Sequence, residues 1–390
     1  MPAPTPFTRR PVAIVFKDES TFKDTYGGSV GLIALQATLL LPETPSDTIL
    51  VTMHPIGGTA GLPIMRWFAE NGVHVLACDS RYRGADYALI MEKVVVDLGA
   101  AVRYAREKLG YAKVVLLGWS GGGSLSAFYQ AQAEHPTITA TPAGDPIDLA
   151  VAKLIPADGI AFVAAHVSRH EILTDALDAS IRDEANPDVR NGSLDLYGDQ
   201  ITPPYGPDFL AAYRAEQRAR NRRITAWVKA KLGSLKSAGR EREEFGFVTH
   251  GTMADPRWLD PAVDANDRRP NWCYMGDPQV VNMSPIGFAR YSSLRSWLSQ
   301  WSIDDARGDG PKNAALVSVP VLVINNSADD ACAPSHAHRL FDAVPHDDKL
   351  FAEIKGATHY YQGQPELGAE AIRHIRHWMH AHGFDHAPVG

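Results

Sequence analysis

Short apolar runs alternate along this chain with longer stretches in which apolar residues recur three to four positions apart. The runs are Val12–Val15, Leu32–Leu41, Thr48–Met53, Val73–Cys78, Val114–Leu117, Gly159–Ala164, Val321–Ile324 and Phe351–Ile354. Continuous apolar runs of this length read as strands covered on both faces of a parallel sheet. Leu32–Leu41 alternates weakly and reads as an antiparallel edge strand. Tyr87–Leu109 reads as one helix, with Leu89, Ile90, Val94, Leu98, Ala101 and Val102 on its apolar face. Further helices are predicted from about Ser335 to Ala343 and from about Pro365 to His382. Strands alternating with helices imply an α/β fold: a mostly parallel eight-stranded sheet flanked by helices.

Between Ala164 and Val321 the pattern breaks. The intervening stretch is rich in aromatics, among them Tyr213, Trp227, Phe247, Trp258, Tyr274, Trp297 and Trp301. One helix is clear, Asp208 to Leu232, with Asp208 read as its N-cap after Pro207. Because the sheet resumes afterwards, the stretch is expected to be a mainly helical cap over the carboxyl ends of the strands, where open α/β sheets bind ligands. The expected division is residues 1–166 for the first part of the core, 167–314 for the cap and 315–390 for the rest of the core.

Composition narrows the class. With 45% hydrophobic and 21% charged residues in 390, the chain can bury a large core. A net charge of −7 argues against nucleic acid as a partner. No apolar run reaches membrane-spanning length, and the first ten residues lack the apolar core of a secretion signal. Cys78, Cys273 and Cys332 are too widely spaced for a disulfide framework or a metal motif, so a reducing cytoplasm is the expected location.

The chemistry concentrates at Gly118-Trp119-Ser120-Gly121-Gly122-Gly123, which follows an apolar run and precedes a helix-like stretch. Strand, sharp turn and helix with Ser at the tip of G-x-S-x-G form a nucleophile elbow. Glycines are needed where the helix start crosses close to the strand. The Gly121 N–H, at a helix start, suits a developing negative charge. A serine hydroxyl needs a base, and the base needs a carboxylate. The Val321–Ile324 run leads into a polar loop containing Asp329 and Asp330. The Phe351–Ile354 run leads into Gly356-Ala357-Thr358-His359.

In these motifs and their order the chain resembles the α/β-hydrolase superfamily, over about residues 10–166 and 315–383, with a large insert after the sixth core strand. The resemblance implies Ser120 as nucleophile, His359 as base and an aspartate as the third member. Strand-to-acid spacing points to Asp329, and the spacing to Pro334 points to Asp330. Asp329 is taken as the acid and Asp330 as the alternative. The family's oxyanion hole implies donors at Gly121 and, after the Thr48–Met53 strand, in His54-Pro55-Ile56-Gly57-Gly58. Pro55 has no N–H, so Ile56 is the expected second donor, with Gly57 as fallback, and His54 reads as a loop brace. Asp79-Ser80-Arg81-Tyr82-Arg83-Gly84 likewise reads as a brace.

Two further clusters have bland readings. Arg214, Arg218, Arg220, Arg222, Arg223, Lys229 and Lys231 read as the solvated face of an amphipathic helix rather than an anion-docking site. His374, His377, His380 and His382 read as a solvated helix rather than a metal site. The expectation is a serine hydrolase for an ester, lactone or thioester with a hydrophobic small-molecule substrate, needing no metal or organic cofactor. C–C bond hydrolysis, acyl transfer and a non-catalytic ligand-binding role stay open, as does homo-oligomerisation.

Overall fold

The structure, a computed structural model, describes residues 5–18, 23, 25 and 28–385. The first four and last five residues, which the expected division includes, lie outside the described residues. Ten strands are formed: β1 Phe7–Lys17, β2 Leu32–Pro42, β3 Thr48–Thr52, β4 Val75–Cys78, β5 Lys113–Ser120, β6 Gly159–Ala165, β7 Gly246–Val248, β8 Tyr291–Ser293, β9 Val321–Asn326 and β10 Lys349–Ile354. Eight of them make one sheet in the order β1-β2-β4-β3-β5-β6-β9-β10. Every apolar run singled out in the sequence lies in this sheet. Only β2 runs against the rest, pairing antiparallel with β1 and β4. It is therefore antiparallel as expected, but the edge is β1, because β2 lies inward between β1 and β4.

Strands β3, β4, β6 and β9 are buried at every position. Helices cover both faces of the sheet, so neither parity of side chain reaches water and the sequences show no alternation. Neighbouring residues on a strand point to opposite layers. Leu116 of β5 belongs to the layer containing Val94 and Leu98 of helix Met91–Glu107, Leu125 and Phe128 of helix Gly121–Glu134, and Leu340 of helix Pro334–Ala343. Val115 and Leu117 belong to the other, with Ile64 and Phe68 of helix Pro63–Glu70 and Ile372, Ile375 and Trp378 of helix Pro365–Ala381. Helix Pro63–Glu70 was not expected from the sequence. The single helix expected over Tyr87–Leu109 is instead a 3-10 turn, Asp86–Ala88, followed by Met91–Glu107, with Leu89 and Ile90 extended between them.

The stretch between β6 and β9 packs apolar clusters largely of its own. Leu173, Ile224, Val228, Leu294, Trp297 and Trp301 form one of them. Its long helix, Pro207–Ser237, is capped by Gly206 rather than Asp208; Pro207 takes the first helical position and puts Asp208 inside the first turn. Of the basic run, Arg218, Arg222, Arg223 and Lys229 are exposed, as expected of a solvated face, whereas Arg220 is turned inward and Arg214 is half-buried. Arg220 is fully buried, with Nη2 and Nε on Glu184 at 2.8 Å each. Arg214 donates to Asp255 at 2.7 Å, and Lys229 pairs with Asp305 at 2.7 Å. Helix Gly310–Ala314 ends at the expected boundary, yet Ala314 belongs to the main core. Among the described residues, no helix is long and apolar enough to cross a membrane.

Candidate active site

Ser120 ends β5 and caps helix Gly121–Glu134 with φ 52° and ψ −123°. A non-glycine residue in this region stores about 1–3 kcal/mol of strain, held by the packing around it. That packing is why glycines surround it. A Cβ on Gly122 would lie 2.6 Å from the Met53 carbonyl oxygen. One on Gly118 would lie 2.8 Å from Gly123 Cα, and one on Gly123 2.5 Å from Ala165 Cβ. The register between β5 and β6 shifts at Trp119/Ser120, and the His166 N–H donates to the Ser120 carbonyl at 3.3 Å.

His359, past the end of β10, donates from Nδ1 to Asp329 Oδ2 at 2.8 Å, with both side chains 1% exposed. The other Asp329 oxygen, Oδ1, accepts the backbone N–H groups of Ala331 and Cys332 at 2.7 Å each. Both carboxylate oxygens are thus held, and with Nδ1 donating, the neutral imidazole keeps Nε2 as its acceptor nitrogen. Trp119 stacks at a tilt on the imidazole, centroids 4.7 Å apart, and donates from Nε1 to the His359 carbonyl at 3.4 Å. Tyr360 packs edge-on against the same ring at 4.8 Å. The Cys332 thiol stands within hydrogen-bonding influence of Ser120 and within 4.8 Å of the polar atoms of Asp329 and His359. Serine, imidazole and carboxylate therefore converge at the carboxyl ends of β5, β9 and β10. Asp330 differs: burial, reinforced by the Asp329 charge and opposed by His359, pushes its carboxyl up to about 6.

Asp329, Cys332 and His359 also form a three-donor cluster of the size that holds a metal ion. Its chemistry fits poorly. His359 Nδ1 is committed to Asp329, and burial together with Asp329 and Asp330 pushes the Cys332 thiol well up, away from the thiolate a metal would need.

The expected oxyanion side differs in one respect. Gly121 is the first residue of its helix, so no preceding turn accepts its N–H. Ile56 does not offer its N–H to the cleft. It donates to His54 Nδ1 at 3.2 Å, and Gly57 donates to the same atom at 2.8 Å. The turn set by Pro55 brings both amides back onto the ring. His54 braces the loop as expected, and Ser80 Oγ adds a bond to the Pro55 carbonyl at 2.5 Å. Enclosure by protein, with the charges of Arg169 and His359, pulls His54 down to about 3.

Several residues near the site carried no sequence signal. His166 and Arg169 follow β6; Arg169 donates from Nε to Gln300 Oε1 at 2.7 Å and stacks 4.3 Å from the Trp301 ring. Burial pulls Arg169 down to about 10 against the pull of Asp86. Tyr274 reaches from the insert to within 6.3 Å of the His359 ring. The insert also grips the loop that carries the acid. Asn266 Nδ2 donates to the Asp329 carbonyl at 2.9 Å, Trp258 Nε1 to the Asp330 carbonyl at 3.0 Å, and Ser327 Oγ to Asp267 at 2.5 Å. On the outer side of the His359 turn, a groove of about 440 Å³ is lined by Pro63, Trp67, Tyr360, Tyr361 and Pro365.

No protein-family model matches the sequence, and no curated protein matches it. Solved structures do match in fold. DcsB, described in complex with its substrate analogue, is 16% identical with a TM-score of 0.52, over 96% of this chain and 100% of its own. The α/β hydrolase GrgF from Penicillium sp. sh18 is 14% identical with a TM-score of 0.52, over 97% and 100%. A thermostable carboxyl esterase from Bacillus coagulans, in complex with glycerol, is 12% identical with a TM-score of 0.51, over 96% and 98%. The sheet order, its single reversed strand and these likenesses give this chain the α/β-hydrolase fold.

Proposed function

We propose that the protein is a serine hydrolase that cleaves a carboxylic ester, or a related lactone or thioester, through an acyl-enzyme on Ser120. The observation that carries this reading is a strained Ser120 at the end of β5 together with a buried imidazole whose Nδ1 is fixed on Asp329. His359 Nε2 takes the Ser120 proton as Oγ attacks the carbonyl carbon. The carbonyl electron pair moves onto oxygen, where the Gly121 N–H receives it. Collapse re-forms the carbonyl and expels the alkoxide or thiolate, which takes the proton from His359. Water, deprotonated by His359, then releases the acid. The buried Asp329 carboxylate favours the imidazolium that forms at both stages.

Tyr274, placed beside His359, supports a substrate with hydrophobic surface. Two of the fold neighbours, a carboxyl esterase and an α/β hydrolase, are in keeping with ester cleavage. The test is labelling by a fluorophosphonate, read by intact mass. One adduct is expected on the wild type and none on Ser120→Ala. A folded wild type that takes no label would overturn the reading and favour a ligand-binding role.

A further inference from the structure

We propose that His54 is a catalytic residue whose Nε2–H, rather than the Ile56 N–H, is the second hydrogen-bond donor to the oxyanion formed at Ser120. The inference rests on the serine-hydrolase reading and deepens it. Two observations carry it. The first is the tautomer. Nδ1 of His54 accepts two backbone N–H groups, from Gly57 at 2.8 Å and Ile56 at 3.2 Å, so it carries no proton of its own. The neutral ring must then hold its proton on Nε2. The second is placement. A Cβ built on Gly121 would stand 2.7 Å from His54 Nε2. The Nε2–H therefore lies against Gly121, the residue that follows Ser120 and whose own N–H has no acceptor in a preceding helical turn.

The same geometry explains the sequence departure at Pro55. A loop that turned an amide toward the oxyanion would leave Nδ1 without acceptor work and the tautomer unset. Here both amides are used to set the tautomer, and the imidazole replaces the amide as donor. The ring remains neutral through the cycle: it lends a hydrogen bond, transfers no proton and leaves acid–base work to His359. His54 Nε2 also lies across the Gly121 position from His166 Nε2, which a Cβ there would meet at 3.1 Å. A glycine at 121 is thus required by the two imidazoles packed against it.

The two roles of the ring can be separated by amide substitutions. Asparagine places an acceptor near the Nδ1 position and nothing at Nε2, whereas glutamine reaches the Nε2 position with an N–H donor and lacks the Nδ1 acceptor. The readouts are the second-order rate constant for fluorophosphonate labelling of Ser120 and, on any turned-over ester, kcat and KM. For His54→Asn, kcat and the labelling rate are expected to fall roughly 10²–10³-fold, as for loss of one oxyanion donor, with KM nearly unchanged. His54→Gln is expected to stay at least about ten-fold faster than His54→Asn. An asparagine variant close to wild type, or a glutamine variant as slow as or slower than it, would overturn the proposal and leave only the loop brace. Should either variant fail to fold, the wild type decides. On phosphonylation, the His54 Nε2–H resonance is expected to move downfield, and an unmoved resonance would overturn the proposal. A wild type that takes no label at all would instead remove the serine-hydrolase reading itself.

Discussion

Asp329 Oδ2 lies 2.8 Å from His359 Nδ1, and each of the two side chains is 1% exposed. A carboxylate so placed is screened little by water and fixes which ring nitrogen faces Ser120. Asp330, one residue further, holds no bond to the imidazole and offers its carbonyl to Trp258. Asp329→Asn is therefore expected to reduce kcat by roughly 10³–10⁴-fold with little change in KM, because the amide stabilises the wrong tautomer. Asp330→Asn is expected to stay within about ten-fold of wild type on the same ester. Steady-state kinetics of the two variants check this directly.

Asp330 has a separate consequence for stability. Its carboxyl is raised from 3.8 to about 6, so between those values the folded protein binds its proton more tightly than the unfolded chain does. Stability from this group is present below about pH 4 and is lost as the pH rises through about 6. Asp330→Asn removes the ionised form. A rise in Tm of about 1–5 °C at pH 7–8, and no rise near pH 4, is expected from thermal unfolding of both proteins.

Asp255, itself buried, sits between two half-buried arginines, accepting from Arg214 at 2.7 Å and from Arg257 at 2.5 and 2.8 Å. Burial alone would raise its carboxyl, but Arg214 and Arg257 outweigh burial and hold it well below the ordinary range. Asp255→Ala leaves two half-buried guanidinium groups with one fewer partner, though Asp175 still pairs with both, a change that costs about 1–3 kcal/mol. Denaturant unfolding is expected to show that loss. Because Arg257 also touches His336 beyond the acid loop, kcat is expected to fall with it.

Strands β3, β4, β5, β6 and β9 were legible because each is a short apolar run covered on both faces, and the elbow because the close crossing of strand and helix excludes a Cβ at Gly118, Gly122 and Gly123. Strand order was not legible: nothing in Val12–Val15 or Leu32–Leu41 says which lies outermost. The donor at His54 was hidden for a different reason. Pro55 shows that one amide is missing, but only the folded turn shows the next two amides converging on the ring. The grip of Trp258, Asn266 and Asp267 on the acid loop joins residues some 60 to 72 positions apart through polar bonds, which leave no periodic trace. The same holds for Arg220, which reads as a surface charge and is buried because Glu184 and three carbonyls meet it.

Gly122→Ala tests the elbow without touching a reacting group. Its Cβ would meet a backbone carbonyl at 2.6 Å, and neither β3's end nor the helix can yield without moving Ser120. A loss of about 1–3 kcal/mol in unfolding free energy is expected. Fluorophosphonate labelling of the folded fraction is expected to slow as well, since the nucleophile shifts with the turn.

The nucleophile is the central claim, and Cys332 is its nearest competitor, 4% exposed and close to both Ser120 and His359. The most direct measurement is acid-quenched mass spectrometry during turnover of p-nitrophenyl acetate, with the acetyl group mapped to a peptide and Cys332→Ala run in parallel. One acetyl on Ser120, formed in a burst and retained in Cys332→Ala, is the expected result. An acetyl on Cys332, or turnover that survives in Ser120→Ala, would contradict it.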